Sequence, residues 1–73
     1  MDAIMSTEIV FVVEEADESG YTARAVGESI FVEAETIPEL HSQVRDAVNC
    51  HFEPERAPKL ILLHFVRDEI IAA

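Results

Sequence analysis

Two stretches of this chain are apolar on both faces of an extended strand. Ile9-Val10-Phe11-Val12-Val13 and Lys59-Leu60-Ile61-Leu62-Leu63-His64-Phe65-Val66 lack the alternation of a strand with one wet side, and such strands require cover on both faces. The pattern predicts strands over residues 8–14, 21–26, 29–34 and 59–66, rich in β-branched and aromatic side chains. Gly20 closes an acidic turn that begins at Glu15. Gly27-Glu28 sits at two-residue hairpin length with glycine first, which suits a type II′ turn. That turn would set Val26 opposite Ser29, Arg24 opposite Phe31 and Thr22 opposite Glu33. The other face would pair Ala25 with Ile30, Ala23 with Val32 and Tyr21 with Ala34, small and β-branched residues that let a helix approach closely.

Thr36-Ile37-Pro38-Glu39 starts that helix. Thr36 can accept from the Glu39 N–H while the Glu39 carboxylate reaches back to the Thr36 N–H, a capping box. Pro38 falls in the first turn, where a missing N–H costs nothing. Ile37, Leu40, Val44, Ala47, Val48 and His51 recur at the helical period, with Ser42, Gln43, Arg45, Asp46 and Asn49 on the wet side. Pro54 and Pro58 bound the helix near residues 50–52. Residues 1–7 read as a loose tail in which Met5 is an alternative start, and Ile70-Ile71-Ala72-Ala73 is an apolar end with no partner in the pattern.

The expected fold is α+β in the order β-β-β-α-β: an antiparallel three-stranded meander, then a right-handed crossover through the helix that lays strand four parallel to strand one. The sheet order is 3-2-1-4, so the two two-sided strands are neighbours. One helix of about 15 residues spans only about 22 Å and covers one face. The other face is left with Val26, Phe31 and the outer residues of strands one and four, a patch too apolar for a comfortable monomer. We expect a second subunit to bury it.

Composition agrees with assembly. The 73 residues make one small domain, 49% hydrophobic, and a chain this short buries too little surface to be secure without disulfides, metal or oligomerisation. Its single cysteine, Cys50, excludes an intrachain disulfide and, with no signal sequence and no membrane-length apolar run, suits a reducing cytoplasm. The net charge of −10, from 15 acids and 5 bases, disfavours direct nucleic-acid binding, which needs clustered Lys and Arg. It suits a basic partner.

Candidate chemistry is sparse. His41, His51, His64 and Cys50 show no metal-ligand spacing, so neither metal nor other cofactor is expected. His51 and His64, on apolar stripes, read as packed and hydrogen-bonded. Cys50, near the negative end of the helix dipole, reads as buried or half-buried and inert. Glu33 and Glu35 on strand three, and Glu14 and Glu15 at the end of strand one, read as guards of sheet edges. Arg24 either pairs across strands with Glu33 or anchors a partner. Arg24, Val26, Phe31 and Glu33 are therefore the candidate partner or oligomer interface, and no catalytic site is expected.

Gly20-Tyr21-Thr22-Ala23, Gly27, Glu35-Thr36-Ile37-Pro38-Glu39-Leu40, Val44 and Asp46-Ala47-Val48, in this order and spacing, resemble the HicB-like antitoxin family over residues 8–66. The resemblance implies a partial ribonuclease-H-like sheet and helix, and a domain that neutralises a small HicA-type messenger-RNA-cleaving toxin by binding it. Many members carry a further C-terminal DNA-binding domain. This chain ends at Ala73 without one, so repression by this polypeptide alone is not expected. Ser19 stands where many members have a second glycine. Nuclease activity does not follow from the fold. The rival expectation is an orphan oligomeric regulatory domain that binds a small ligand and has no toxin partner.

Overall fold

The computed structural model describes residues 7–73; the expected tail and the alternative start at Met5 lie outside them, Thr7 excepted. The order is β1 (Glu8–Glu15), β2 (Tyr21–Ala25), β3 (Phe31–Ala34), α1 (Ile37–His51) and β4 (Leu60–Val66). They form one four-stranded sheet in the order β3-β2-β1-β4, with β1 antiparallel to β2 and parallel to β4. This is the α+β arrangement read from the pattern.

Register follows the expected pairing. Arg24 lies opposite Phe31, Thr22 opposite Glu33, Ala23 opposite Val32 and Tyr21 opposite Ala34. The hairpin is wider than a two-residue turn, and β2 and β3 stop earlier than expected. The Ala25 N–H donates to Ile30 O at 3.0 Å, while the Val26 N–H turns to β1 and donates to Val10 O at 2.9 Å. Because Val26 spends its donor on β1, it cannot close a narrow pair with Ser29. Gly27 still takes the positive φ (87°) that placed it in the turn.

Gly20 is the stricter requirement. Its φ is 89°, and a Cβ there would come within 2.7 Å of Ala34 O. The Ala16 N–H donates to Gly20 O at 3.0 Å and ties the acidic turn shut.

The helix starts as its cap predicts, with one change. Thr36 Oγ1 accepts from the Glu39 N–H at 3.2 Å, but the Glu39 carboxylate takes the Glu35 N–H at 3.1 Å and not that of Thr36. The reach-back is one residue longer, and it satisfies the peptide group that leads into the cap. Phe52 ends the helix, its N–H donating to Val48 O.

The core lies between α1 and one sheet face. Leu40, Val44 and Val48 from the helix meet Ile9, Phe11, Val13, Ala23, Ala25, Ile30 and Ala34. The alanines of β2 and the end of β3 leave the room that the helix occupies. α1 packs on β3 and β2, so the same face of β4 is less well covered. Ile61 and Leu63 are half-buried and Phe65 stays 48% exposed, its ring set edge-on to Tyr21 at 6.5 Å.

Candidate interaction surface

Among the described residues nothing covers the second face of the sheet. Strand pairing places side chains on it in rows across the strands. Phe31, Arg24, Val12 and His64 make one row, and Glu33, Thr22, Glu14 and Val66 the next. On the other side of the first row lie Leu62 and Val10, with Val26 just beyond the end of β2, and then Leu60. Leu60 (62%), Val26 and Phe31 (59% each) and Leu62 (44%) are all exposed. Leu60, Leu62, Val10 and Val26 lie towards one end of the face with Glu8 beside Leu60, Glu14 and Glu33 lie towards the other, and Arg24 and His64 stand between.

The four residues singled out in the sequence fall together here. Arg24, Phe31 and Glu33 are on the open face and Val26 borders it. Arg24 does not pair with Glu33: among the described residues it has neither hydrogen bond nor ion pair. A guanidinium held beside Phe31 and Val12 without a carboxylate keeps its full set of donors for another molecule.

Three expectations about the other polar groups are corrected. His51 makes the expected hydrogen-bond contact, to Glu28, but is exposed and not packed. Its Nε2 lies 3.0 Å from Glu28 Oε1, and its ring sits edge-on to Phe52 at 4.9 Å. His64 is exposed, since its strand position points to the open face. Cys50 is exposed as well, one step off the buried stripe of the helix. The His51–Glu28 pair had no signal in the sequence, where the two residues are 23 positions apart.

The acids do structural work. Glu35 lies past the end of β3, with its N–H on Glu39 and its carboxylate accepting from Ser19 Oγ at 3.4 Å. Together with Glu33, Thr22 and Tyr21 these residues line a polar hollow. Among the described residues no three His, Cys, Asp or Glu side chains converge to hold a metal. No helix among them is long and apolar enough to cross a membrane.

A single helix on a four-stranded mixed sheet, with exposed and partly apolar side chains on the far face among the described residues, defines a small α+β domain. No family model and no solved structure matches the chain. Two curated relatives do. A UPF0150 protein of Archaeoglobus fulgidus is 56% identical over 52 residues, 71% of this chain and 77% of its own length. A UPF0150 protein of Thermotoga maritima is 43% identical over 65 residues, 89% of this chain and 91% of its own. The chain belongs to the UPF0150 family. The relatives' names state neither an activity nor a partner.

Proposed function

We propose that the chain is a non-enzymatic interaction domain of HicB-like antitoxin type, working as a homo-oligomer, that binds and occludes a small basic messenger-RNA-cleaving toxin of the HicA type. The observation that carries this reading is the open sheet face, where Val26, Phe31, Leu60 and Leu62 are exposed around an Arg24 with no partner among the described residues. Apolar side chains there supply the burial that drives association. Arg24 supplies the anchored, directional contact that arginines give at the centre of interfaces. The acids of this face, Glu8, Glu14 and Glu33, in a chain of net charge −10, attract a basic protein and orient its approach. The mechanism is occlusion: the toxin's nucleic-acid-binding surface is basic, and an acidic domain seated on it excludes RNA.

The test is co-purification from the native host, followed by ribonuclease assay of any small basic protein that co-purifies. The chain should suppress its cleavage of RNA at about one-to-one stoichiometry. Arg24→Glu should weaken the complex at least about tenfold, equivalent to about 1.4 kcal/mol. Absence of any basic ribonuclease partner would remove the toxin link.

One observation favours a second reading, an oligomeric regulatory domain that binds a small ligand. Ile9, Val10, Val26, Phe52, Arg56 and Pro58 line a groove of about 520 Å³, a size that suits small molecules. A thermal-shift screen with metabolites separates the two, because a ligand that binds only the native state raises its melting temperature.

A further inference from the structure

The two edges of this sheet are not alike. β3, at one edge, is four residues long and carries Glu33, with Glu28 before it and Glu35 after it. Short length and inward or flanking charge are the usual ways a sheet edge is kept from pairing. β4, at the other edge, is seven residues long, contains no Pro, Gly, Asp, Glu, Lys or Arg, and among the described residues has β1 on one side only.

The peptide groups that face outward from β4 can be assigned. The Leu60 N–H donates to Thr7 O across the β1–β4 seam. Residues in step with Leu60 turn their peptide groups towards β1, so Ile61, Leu63 and Phe65 direct theirs to the free edge. Their side chains lie on the helix face, on the part that α1 leaves half-covered. Edge and flanking apolar surface therefore coincide.

Charge selects the occupant. Residues 8–35 carry eight acids and one base, whereas residues 53–69 carry four acids and three bases, Arg56, Lys59 and Arg67. Arg45 and His41 of α1 also border the shallow groove over Ile61, Leu63 and Phe65. Two copies of a chain with net charge −10 repel least where their acids are fewest, and that place is the β4 edge.

We propose that β4 pairs antiparallel with β4 of a second copy, about a two-fold axis through Leu63 and perpendicular to the sheet. In this register Leu63 lies opposite Leu63 of the second copy and Ile61 opposite its Phe65. Every outward N–H and C=O of these three residues then gains a partner. On the open face Leu62 lies opposite His64 of the second copy, and Leu60 opposite its Val66. The result is one eight-stranded sheet with both helices on one side and both open faces on the other. This deepens the interaction-domain reading: it assigns the homo-oligomer to the edge and leaves Arg24, Val26 and Phe31 free for a different protein.

Residue-resolved amide hydrogen exchange across a range of protein concentrations, with sedimentation to give mass, tests it without any toxin. The expected result is a dimer in which the Ile61, Leu63 and Phe65 amides slow at least about tenfold as the dimer fills, because protection then requires dissociation. The Leu62, His64 and Val66 amides, bonded to β1, should be protected at every concentration. A monomer throughout, or a dimer whose three outward amides exchange as fast as in the monomer, overturns the proposal. Register is tested by mixing Leu62→Cys and His64→Cys chains, each also carrying Cys50→Ser. Oxidation should cross-link the mixture into a heterodimer, since directly opposed residues on antiparallel strands meet disulfide geometry. Preferred cross-linking of His64→Cys to itself would place the axis elsewhere and refute the Leu63-centred register. Because neither assay contains a ribonuclease, loss of the toxin link and loss of the edge pairing are read separately.

Discussion

Phe11 and Phe31 put the same side chain on opposite faces of one sheet, and truncating each to alanine measures how differently those faces are covered. Phe11 is 0% exposed and sits among Leu40, Val44 and Val13 in the core, whereas Phe31 is 59% exposed. Phe11→Ala removes buried atoms and leaves a cavity, a loss of about 3–5 kcal/mol. Phe31→Ala gives up only the remaining burial, roughly four-tenths of the ~1.5–3 kcal/mol for a whole large apolar side chain, hence about 0.6–1.2 kcal/mol. A domain of 73 residues has in total roughly 4–11 kcal/mol of stability at the usual yield per residue. Phe11→Ala should therefore remove from about a quarter to all of that stability, and Phe31→Ala a much smaller share. Urea titration followed by circular dichroism, at concentrations low enough to keep the chain monomeric, gives both values. Equal losses for the two variants under those conditions would refute the assignment of faces. A loss for Phe31→Ala that grows with protein concentration would mean that a second copy covers the open face, as the amino-acid pattern alone suggests, and not the edge.

The helix cap and the two glycines give sharper local checks. Thr36→Ala should lower stability by about 1 kcal/mol, read as a shift of the urea midpoint with unchanged slope, since only one N–H at the helix start loses its acceptor. Gly20→Ala should be worse than Gly27→Ala, although both glycines have positive φ. At Gly27 the new methyl enters open space and only the backbone strain of about 1–2 kcal/mol applies, while at Gly20 it meets Ala34 O at 2.7 Å and the β1–β2 turn must also move; equal melting temperatures for the two would contradict that close approach. His51→Ala should change stability by less than about 1 kcal/mol, because the His51–Glu28 pair is open to solvent, and a larger fall in melting temperature would show a structural role for it.

Much of this fold was legible because its cues are local and mutually consistent. The alternation in Tyr21-Thr22-Ala23-Arg24-Ala25, a glycine at the hairpin and the Thr36–Glu39 cap each constrain only neighbours, yet together they leave one register for β2 and β3. The adjacency of β1 and β4 followed from a different kind of reasoning, the right-handed crossover that lays the strand after the helix parallel to strand one. What was not legible depended on three-dimensional offsets. The stripe containing Ile37, Leu40, Val44 and Val48 continues to His51 on a helical wheel, but burial ends at Val48 and His51 meets Glu28, before β3, in place of a core. The two-sided apolar run that placed His64 in a covered strand could not say which of the two faces α1 would occupy at the β4 side. Cys50 was read from its place near the helix C-terminus, which does not say how far it stands from the sheet, and it is exposed.

The open face was also legible, and its chemistry follows from one misfit. A sheet face meant only for solvent has no need of Val10, Val12, Phe31 and Leu62 together, and one meant only for a second copy has little use for an unpaired guanidinium in its midst. Two Arg24 side chains brought together by a face-to-face two-fold would add like charges to a desolvated contact, a loss unless carboxylates meet them. Glu14 and Glu33 lie one row away on the same face, so a face-to-face dimer would have to shift by that row to pair them. Such a shift slides Phe31 and Leu62 of one copy away from the apolar rows of the other and gives up the burial that would drive the contact. The β4 edge has no such conflict, because its residues between Lys59 and Arg67 are uncharged apart from the titratable His64. The two proposals, self-association at the edge and recognition of a different molecule at the face, are therefore compatible: together they would leave neither an apolar row uncovered nor Arg24 without a counter-charge.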